Sequence, residues 1–192
     1  MWDPDHEALT PAVLWELQRG RLQVLLARLI EESAFYRQRL SGIVARVRSP
    51  QDLAALPLTT KGDLRRLSPL GLFAGPDGGR MHAGEPIELH CSSGTTGTST
   101  VVGYTRADLE LWGEVMARTL AAGGVRSGDL MHNAYGYGLF TGGLGFHYGA
   151  LRLGAHVLPV SSGNTARQVK LLRDLGATVL ACTPSYALHL AE

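Results

Sequence analysis

The residues best suited to chemistry form one run: His90-Cys91-Ser92-Ser93-Gly94-Thr95-Thr96-Gly97-Thr98-Ser99-Thr100. Gly94 and Gly97 can adopt backbone angles closed to other residues, so the segment can turn tightly and let its N–H groups converge. Converging amides make a concave anion site, and the hydroxyls of Ser92, Ser93, Thr95 and Thr96 add donors. Ser92, Ser93, Gly94, Thr95, Thr96 and Gly97 are therefore candidates for holding a polyphosphate. The same composition also describes a flexible Ser/Gly linker. The setting favours phosphate, because strand-like runs flank the loop, Pro86 to Cys91 before it and Thr100 to Tyr104 after it. It is not a Walker A loop, which requires Gly-Lys-Ser/Thr opening a helix; here Thr98 follows Gly97.

A second informative stretch is Tyr135-Gly-Tyr-Gly-Leu-Phe-Thr-Gly-Gly-Leu-Gly-Phe-His-Tyr-Gly149. Glycines let a backbone approach a ligand or another element closely, and aromatic rings offer an apolar wall. The stretch follows a predicted strand, at the end of a sheet where open α/β folds place ligands. Tyr135 and Phe140 flank the turn and are candidate ligand contacts, expected to face one solvent-open pocket. Leu139, Leu144 and Phe146 read as core. The histidines show no H-x-x-x-H or H-E-x-x-H spacing, so they read as structural or surface groups and not as a metal set. Cys91 and Cys182 read as buried small hydrophobes at strand ends.

These segments need a scaffold. Thr10-Pro11 marks a helix start, and apolar residues from Leu14 to Ile30 follow helical spacing, with Gly20 a point where the helix could break. A second helix spans Phe35 to Leu40 and stops at Ser41-Gly42. A short turn opens at Ser49-Pro50. Thr60 and Asp63 form a capping pair for a further helix, and residues 69–80 read as loop. From Pro86 onward strands alternate with helices: Thr105 caps a helix to Ala122, Leu130 to Tyr135 is a strand, and a helix ends at Gly154. Strand 156–160, helix 165–175, strand 178–182 and a last helix from Pro184 complete the order. This is an α/β fold, a largely parallel sheet with flanking helices, preceded by a helical N-terminal segment. The domain division is 1–80, helical and packed on the core, and 81–192, the α/β binding region.

The spelling Ser92-Ser-Gly-Thr-Thr-Gly97 resembles the phosphate loop of the adenylate-forming acyl-CoA synthetase superfamily. The chain departs from that pattern at Thr98 and Ser99, where the superfamily commonly has Lys and Pro, and so lacks a mobile cation at the phosphates. The stretch Tyr135 to Gly149 is similar to phenylacetate–coenzyme A ligases, and Leu56-Pro-Leu-Thr-Thr-Lys-Gly-Asp-Leu-Arg65, Pro69 to Ala74, Thr100 to Thr105 and Thr183-Pro-Ser-Tyr186 agree with it. The resemblance implies a partial N-terminal domain of such an enzyme. It implies ATP-dependent activation of an aromatic carboxylate to an acyl adenylate and then a thioester, with ATP, Mg2+ and coenzyme A as cosubstrates. It places ATP phosphates on Ser92 to Gly97 and the aryl group against Tyr135 and Phe140. The family's metal-binding acid, ribose aspartate and mobile lysine would fall after Glu192, so no catalytic or metal residue is assigned here. The chain ends within a predicted helix without a stop signal; it reads as a piece of something longer, expected not to form acyl adenylate by itself. The alternative is a truncated, non-catalytic module that binds a nucleotide, a carboxylate or a partner subunit.

Composition limits the other classes. The chain has 192 residues, a net charge of +1, 18% charged and 45% hydrophobic residues. That is an ordinary globular composition without the basic excess that nucleic acid or an anionic membrane attracts. Two distant cysteines make no disulfide framework. No apolar run approaches the ~20 residues that cross a bilayer. The expected partner is a small aromatic carboxylate, with room left for a homodimer, and the expected compartment is the cytoplasm.

Overall fold

The computed structural model describes residues 1–43, 47–67, 86–92, 99–138 and 141–192. It divides into two compact units: Met1–Pro4, Pro86–Ser93 and Tyr104–Glu192 form one, and Asp5–Glu85 with Gly94–Gly103 the other.

The second unit is mainly helical in its described part, with strand residues 101–103 joining it from later in the chain. After a single turn, α1 (Pro4–Glu7), comes α2 (Pro11–Glu32), whose cap Thr10 accepts a hydrogen bond from the Val13 N–H with Pro11 in the first turn. The helix runs through Gly20 without a break. One glycine costs about 1 kcal/mol relative to alanine, too little to interrupt a helix this long. At Ser33 the chain re-enters a helix, α3 (Ala34–Leu40), and Arg37 reaches back to the Ile30 and Glu31 carbonyls that the end of α2 leaves unpaired. A 3-10 turn (Pro50–Ala55) leads to α4 (Lys61–Leu67). Its start is the predicted capping pair: Asp63 accepts from the Thr60 N–H (2.9 Å) while Thr60 Oγ1 accepts from the Asp63 N–H (3.2 Å). Arg39 of α3 also donates to Asp63, and to the Leu58 carbonyl, tying α3 to the head of α4. The Thr60 donors, with Arg39 and Arg66, hold the Asp63 carboxyl well below the usual carboxylate range. Among its described residues the buried apolar ones are Leu26, Leu40 and Val47.

The first unit holds the parallel sheet. Strand β1 (Glu88–Cys91) precedes it, whereas β2 (Val101–Tyr104) falls in the second unit except for Tyr104. Helix α5 (Arg106–Ala122) opens with a capping box between Thr105 and Asp108. Then follow β3 (Leu130–Asn133), α6 (Gly142–Leu153), β4 (His156–Leu158), α7 (Thr165–Asp174), β5 (Val179–Ala181) and α8 (Pro184–Ala191). The sheet order is β4-β3-β5, both pairs parallel, with Met131 opposite Val157 on one side and Val179 on the other. The sequence reading began the strand–helix alternation at residue 86, yet β1 and β2 are not members of this sheet. The connection between them is shorter than the dozen or so residues a parallel crossover needs.

The central strand is buried on both faces. Met131 is fully enclosed in a cluster with Ala117, Leu120, Ala150, Leu153 and Ala181. Burying a side chain of that size contributes about 1.5–3 kcal/mol. The glycines of α6 let it lie against α5. A Cβ on Gly149 would stand 2.5 Å from Met116 Cβ, and one on Gly145 3.0 Å from the Trp112 ring. The glycine pattern of 142–149 is thus largely a packing device, and Phe146 packs against the core as its sequence position predicts.

Candidate functional site

β3 ends in two polar residues, His132 and Asn133, each with no exposed surface. A buried polar group costs free energy unless it is hydrogen-bonded, and Asn133 is used fully. Its Oδ1 accepts from the Tyr135 N–H (3.2 Å), and its Nδ2 donates to the Tyr137 hydroxyl (2.7 Å) and the Gly143 carbonyl (2.8 Å). One side chain therefore bends the chain out of the strand and fastens that bend to the first turn of α6. The Tyr137 hydroxyl is also hydrogen-bonded to His147 Nδ1 (3.1 Å). Burial pushes the Tyr137 hydroxyl above its ordinary pKa, against a smaller opposing pull from the Asn133 amide. Gly143 must be glycine here, since a Cβ would sit 2.5 Å from the Gly136 carbonyl oxygen.

Tyr135, half-buried, stacks on Phe146 with centroids 5.2 Å apart and planes within 3°. Tyr135 lines one side of a cleft of about 450 Å³ at the carboxyl ends of the three parallel strands. The segment after β4 supplies a second wall through Ser162 and Gly163. The third comes from after β5, where Cys182, Thr183 and Tyr186 line the space. Each strand thus feeds its C-terminal loop into one cavity, the placement expected of ligands on open parallel sheets. The lining carries no carboxylate, lysine or arginine among the described residues. Such a cleft takes an apolar or aromatic body and presents no like charge to an acid. Burial raises the Cys182 thiol pKa, which disfavours the thiolate. Cys182 and Cys91 are half-buried rather than enclosed as the sequence suggested.

The strand that enters the Ser/Gly loop is anchored separately. Glu88 accepts from Tyr148 (2.6 Å) through one oxygen and pairs with His90 Nε2 (2.6 Å) through the other. Burial, reinforced by Glu88, pushes the Tyr148 hydroxyl up to about 12. His90 meets Tyr104 and Trp112 edge-on at 5.2 and 5.5 Å. Ser92 follows, exposed. Ser93, Gly94, Thr95, Thr96, Gly97 and Phe140 lie outside the described residues, as does the 69–80 loop. Of the sequence candidates, the structure accordingly places Tyr135 in the cleft and Ser92 at the end of β1. Among the described residues no three His, Cys, Asp or Glu side chains converge as metal ligands would. No helix among them is long and apolar enough to cross a membrane.

Residues that sequence reasoning missed are Asn133, Ser162, Thr183, Tyr186 and Gln168. Asn133 and Gln168 are polar residues that pattern reading sends to a surface, yet both are fully enclosed. Thr183 and Tyr186 sit in a stretch whose spelling resembles the ligases, and that was the available signal.

No family model matches the chain. Its solved structural relatives include 2-hydroxyisobutyryl-CoA ligase, in an open conformation with 2-HIB-AMP and CoA. That match has a TM-score of 0.84 at 30% identity, over 95% of this chain and 43% of that one. Fold and cleft together define the class: the chain belongs to the adenylate-forming coenzyme A ligases. Within that class its curated relatives are phenylacetate-coenzyme A ligases. The enzyme of Thermus thermophilus is 50% identical over 195 residues, covering 100% of this chain, and that of Pseudomonas putida 46% identical over 193 residues, covering 99%. The chain spans 42% of the length of each of these two relatives.

Proposed function

We propose that this chain carries the aryl-binding cleft and the phosphate loop of an arylacetate–coenzyme A ligase that forms AMP. The observation behind this reading is Tyr135. It stands in the cleft at the sheet's carboxyl edge, in a chain half identical to a phenylacetate-coenzyme A ligase. The stacked pair Tyr135–Phe146 gives the aromatic ring of the acid a flat apolar partner. Phe140 is the expected second ring contact. Ser92, Ser93, Gly94, Thr95, Thr96 and Gly97 are the expected donors to the ATP phosphates.

In the complete reaction the acid's carboxylate oxygen attacks the α-phosphorus of ATP and pyrophosphate leaves. The coenzyme A thiolate then displaces AMP and gives the thioester. Both steps depend on positioning and on neutralising phosphate charge. This chain's contribution is to hold the acid in a cleft without opposing charge. Magnesium bound with ATP would neutralise phosphate charge. The described residues offer no cluster of three His, Cys, Asp or Glu to hold it.

The test is binding of phenylacetate and of ATP to the purified protein by titration calorimetry, with carboxylate-dependent pyrophosphate exchange measured alongside. Phenylacetate affinity that falls in Tyr135→Ala while ATP affinity holds supports the reading. A protein that binds ATP and no arylacetate, or a Tyr135→Ala variant with unchanged affinity, overturns it.

A further inference from the structure

Gln168 lies on α7, and its side chain has no exposed surface. Most of that helix faces solvent, so an enclosed glutamine there needs a physical account. Its Nε2 donates to two backbone carbonyls of the cleft wall, Ser161 (2.7 Å) and Gly163 (3.1 Å). With the amide nitrogen so committed, Oε1 is the acceptor left to meet His132 Nε2. His132 must then carry its proton on Nε2. Its Nδ1, fully buried, has no partner among the described residues.

The wall that Gln168 holds is strained. Ser161 and Asn164 have φ of 67° and 48°, and Gly163 has φ of 89°. Left-handed backbone at two non-glycine residues within four positions persists only where surrounding structure over-determines it. Three fastenings are among those that do so. The Ser161 N–H donates to the Asn133 carbonyl (3.1 Å), Asn164 caps α7 through the Arg167 N–H (3.1 Å), and Gln168 takes the two inward carbonyls. The last of these is the only one supplied by a side chain fixed to β3 through a second buried residue. Since Asn133 fixes the Tyr135 side of the cleft, adjacent residues of one strand end hold both walls: Asn133 one, His132 through Gln168 the other.

We propose that Gln168 is a positioning residue that sets the width of the cleft between Tyr135 and the 162–163 wall, and hence which acid fits there. This rests on the arylacetate reading for the identity of the ligand, but not for the clamp itself. A hydrogen-bonded wall tells acids apart by shape, and a 1 Å displacement is enough to change the fit. Losing the clamp should leave the ATP side untouched.

Two variants test it. Gln168→Met keeps volume and removes both donors and the acceptor. Gly163→Ala stands at an exposed glycine whose added Cβ meets nothing within 4 Å, so it loads the wall by φ strain alone. Amide hydrogen exchange of the unliganded protein is read first. The clamp requires at least tenfold faster exchange in Gln168→Met at the Ser161 amide, which donates to the Asn133 carbonyl, with Met131 and Leu180 amides unchanged. Unchanged exchange at the Ser161 amide overturns the proposal, whatever the ligand. Affinities for phenylacetate and the bulkier indole-3-acetate are read second. The preference between them should narrow by five- to tenfold in both variants, with ATP affinity within twofold of wild type. Faster exchange with an unaltered preference overturns the selectivity role. Wild-type protein that binds neither acid overturns the arylacetate reading and the selectivity role together, and leaves the clamp to be judged by exchange. Should Gln168→Met fail to fold, Gly163→Ala carries the affinity test and Gln168→Asn, one methylene too short for both carbonyls, carries the exchange test.

Discussion

Gly143→Ala joins the packing of the first unit to the shape of the cleft. The added Cβ would lie 2.5 Å from the Gly136 carbonyl oxygen, 3.0 Å from its carbon and 3.2 Å from the Tyr135 oxygen. Every close atom is backbone, so no rotamer change relieves the clash. Reaching an ordinary 3.4 Å contact moves the 135–136 segment and the first turn of α6 apart by about 0.9 Å. Two bonds oppose that movement, since Asn133 donates to the Gly143 carbonyl and accepts from the Tyr135 N–H. Overpacking of this kind costs roughly 1–3 kcal/mol. Alanine's better helix propensity returns up to about 1 kcal/mol. The net expectation is a loss of about 1–2 kcal/mol, or roughly 2–8 °C in Tm for a chain of this size. Urea denaturation followed by tryptophan fluorescence measures it. Phenylacetate affinity should fall with it, because the displaced segment carries Tyr135. The neighbouring Gly142→Ala is the control. Its Cβ meets Tyr135 at 3.6 Å, an ordinary contact, and stability should hold or rise slightly. Equal behaviour of the two variants would refute the reasoning, for it would show that the close approach at Gly143 is not what fixes the turn.

Thr105→Ala removes half the box that opens α5 and should cost about 1 kcal/mol in thermal or urea unfolding, with Thr105→Ser recovering most of it. Gly154→Ala, at φ 87° with a Cβ 2.8 Å from Ser127 Oγ, should lose at least the 1–2 kcal/mol of left-handed strain, where Gly154→Asn loses less. The Asp129 carboxyl is held low by the Arg126 N–H and then by the Thr178 hydroxyl, and Asp63 by Thr60. Depressed carboxylates stabilise the fold above their unfolded pKa, roughly 3.9, and lose that contribution as pH falls through the folded value. The urea midpoint should therefore stay level from pH 7 to 5 and drop below about pH 4, less so in Asp129→Asn; a midpoint flat down to pH 3 would contradict this.

Local chemistry was legible along the chain because it acts over three or four residues. Thr10-Pro11, Thr60 with Asp63, Thr105 with Asp108 and Gly154 mark helix ends where the structure has them. Those signals are hydrogen bonds and backbone angles between near neighbours, so composition and spacing suffice to find them. The position of Tyr135, at a turn after a strand, was legible for the same reason. The 135–149 glycines were ambiguous, since closeness to a ligand and closeness to a helix demand the same missing Cβ. Only tertiary structure decided for packing, by setting Gly145 against Trp112 and Gly149 against Met116. It alone also enclosed His132, Asn133 and Gln168, whose polarity reads as surface until folding brings them their partners, for His132 and Gln168 each other. Satisfaction of a buried polar group is a long-range property, carried here by bonds spanning 36 residues between His132 and Gln168, and no window of sequence contains both ends of it.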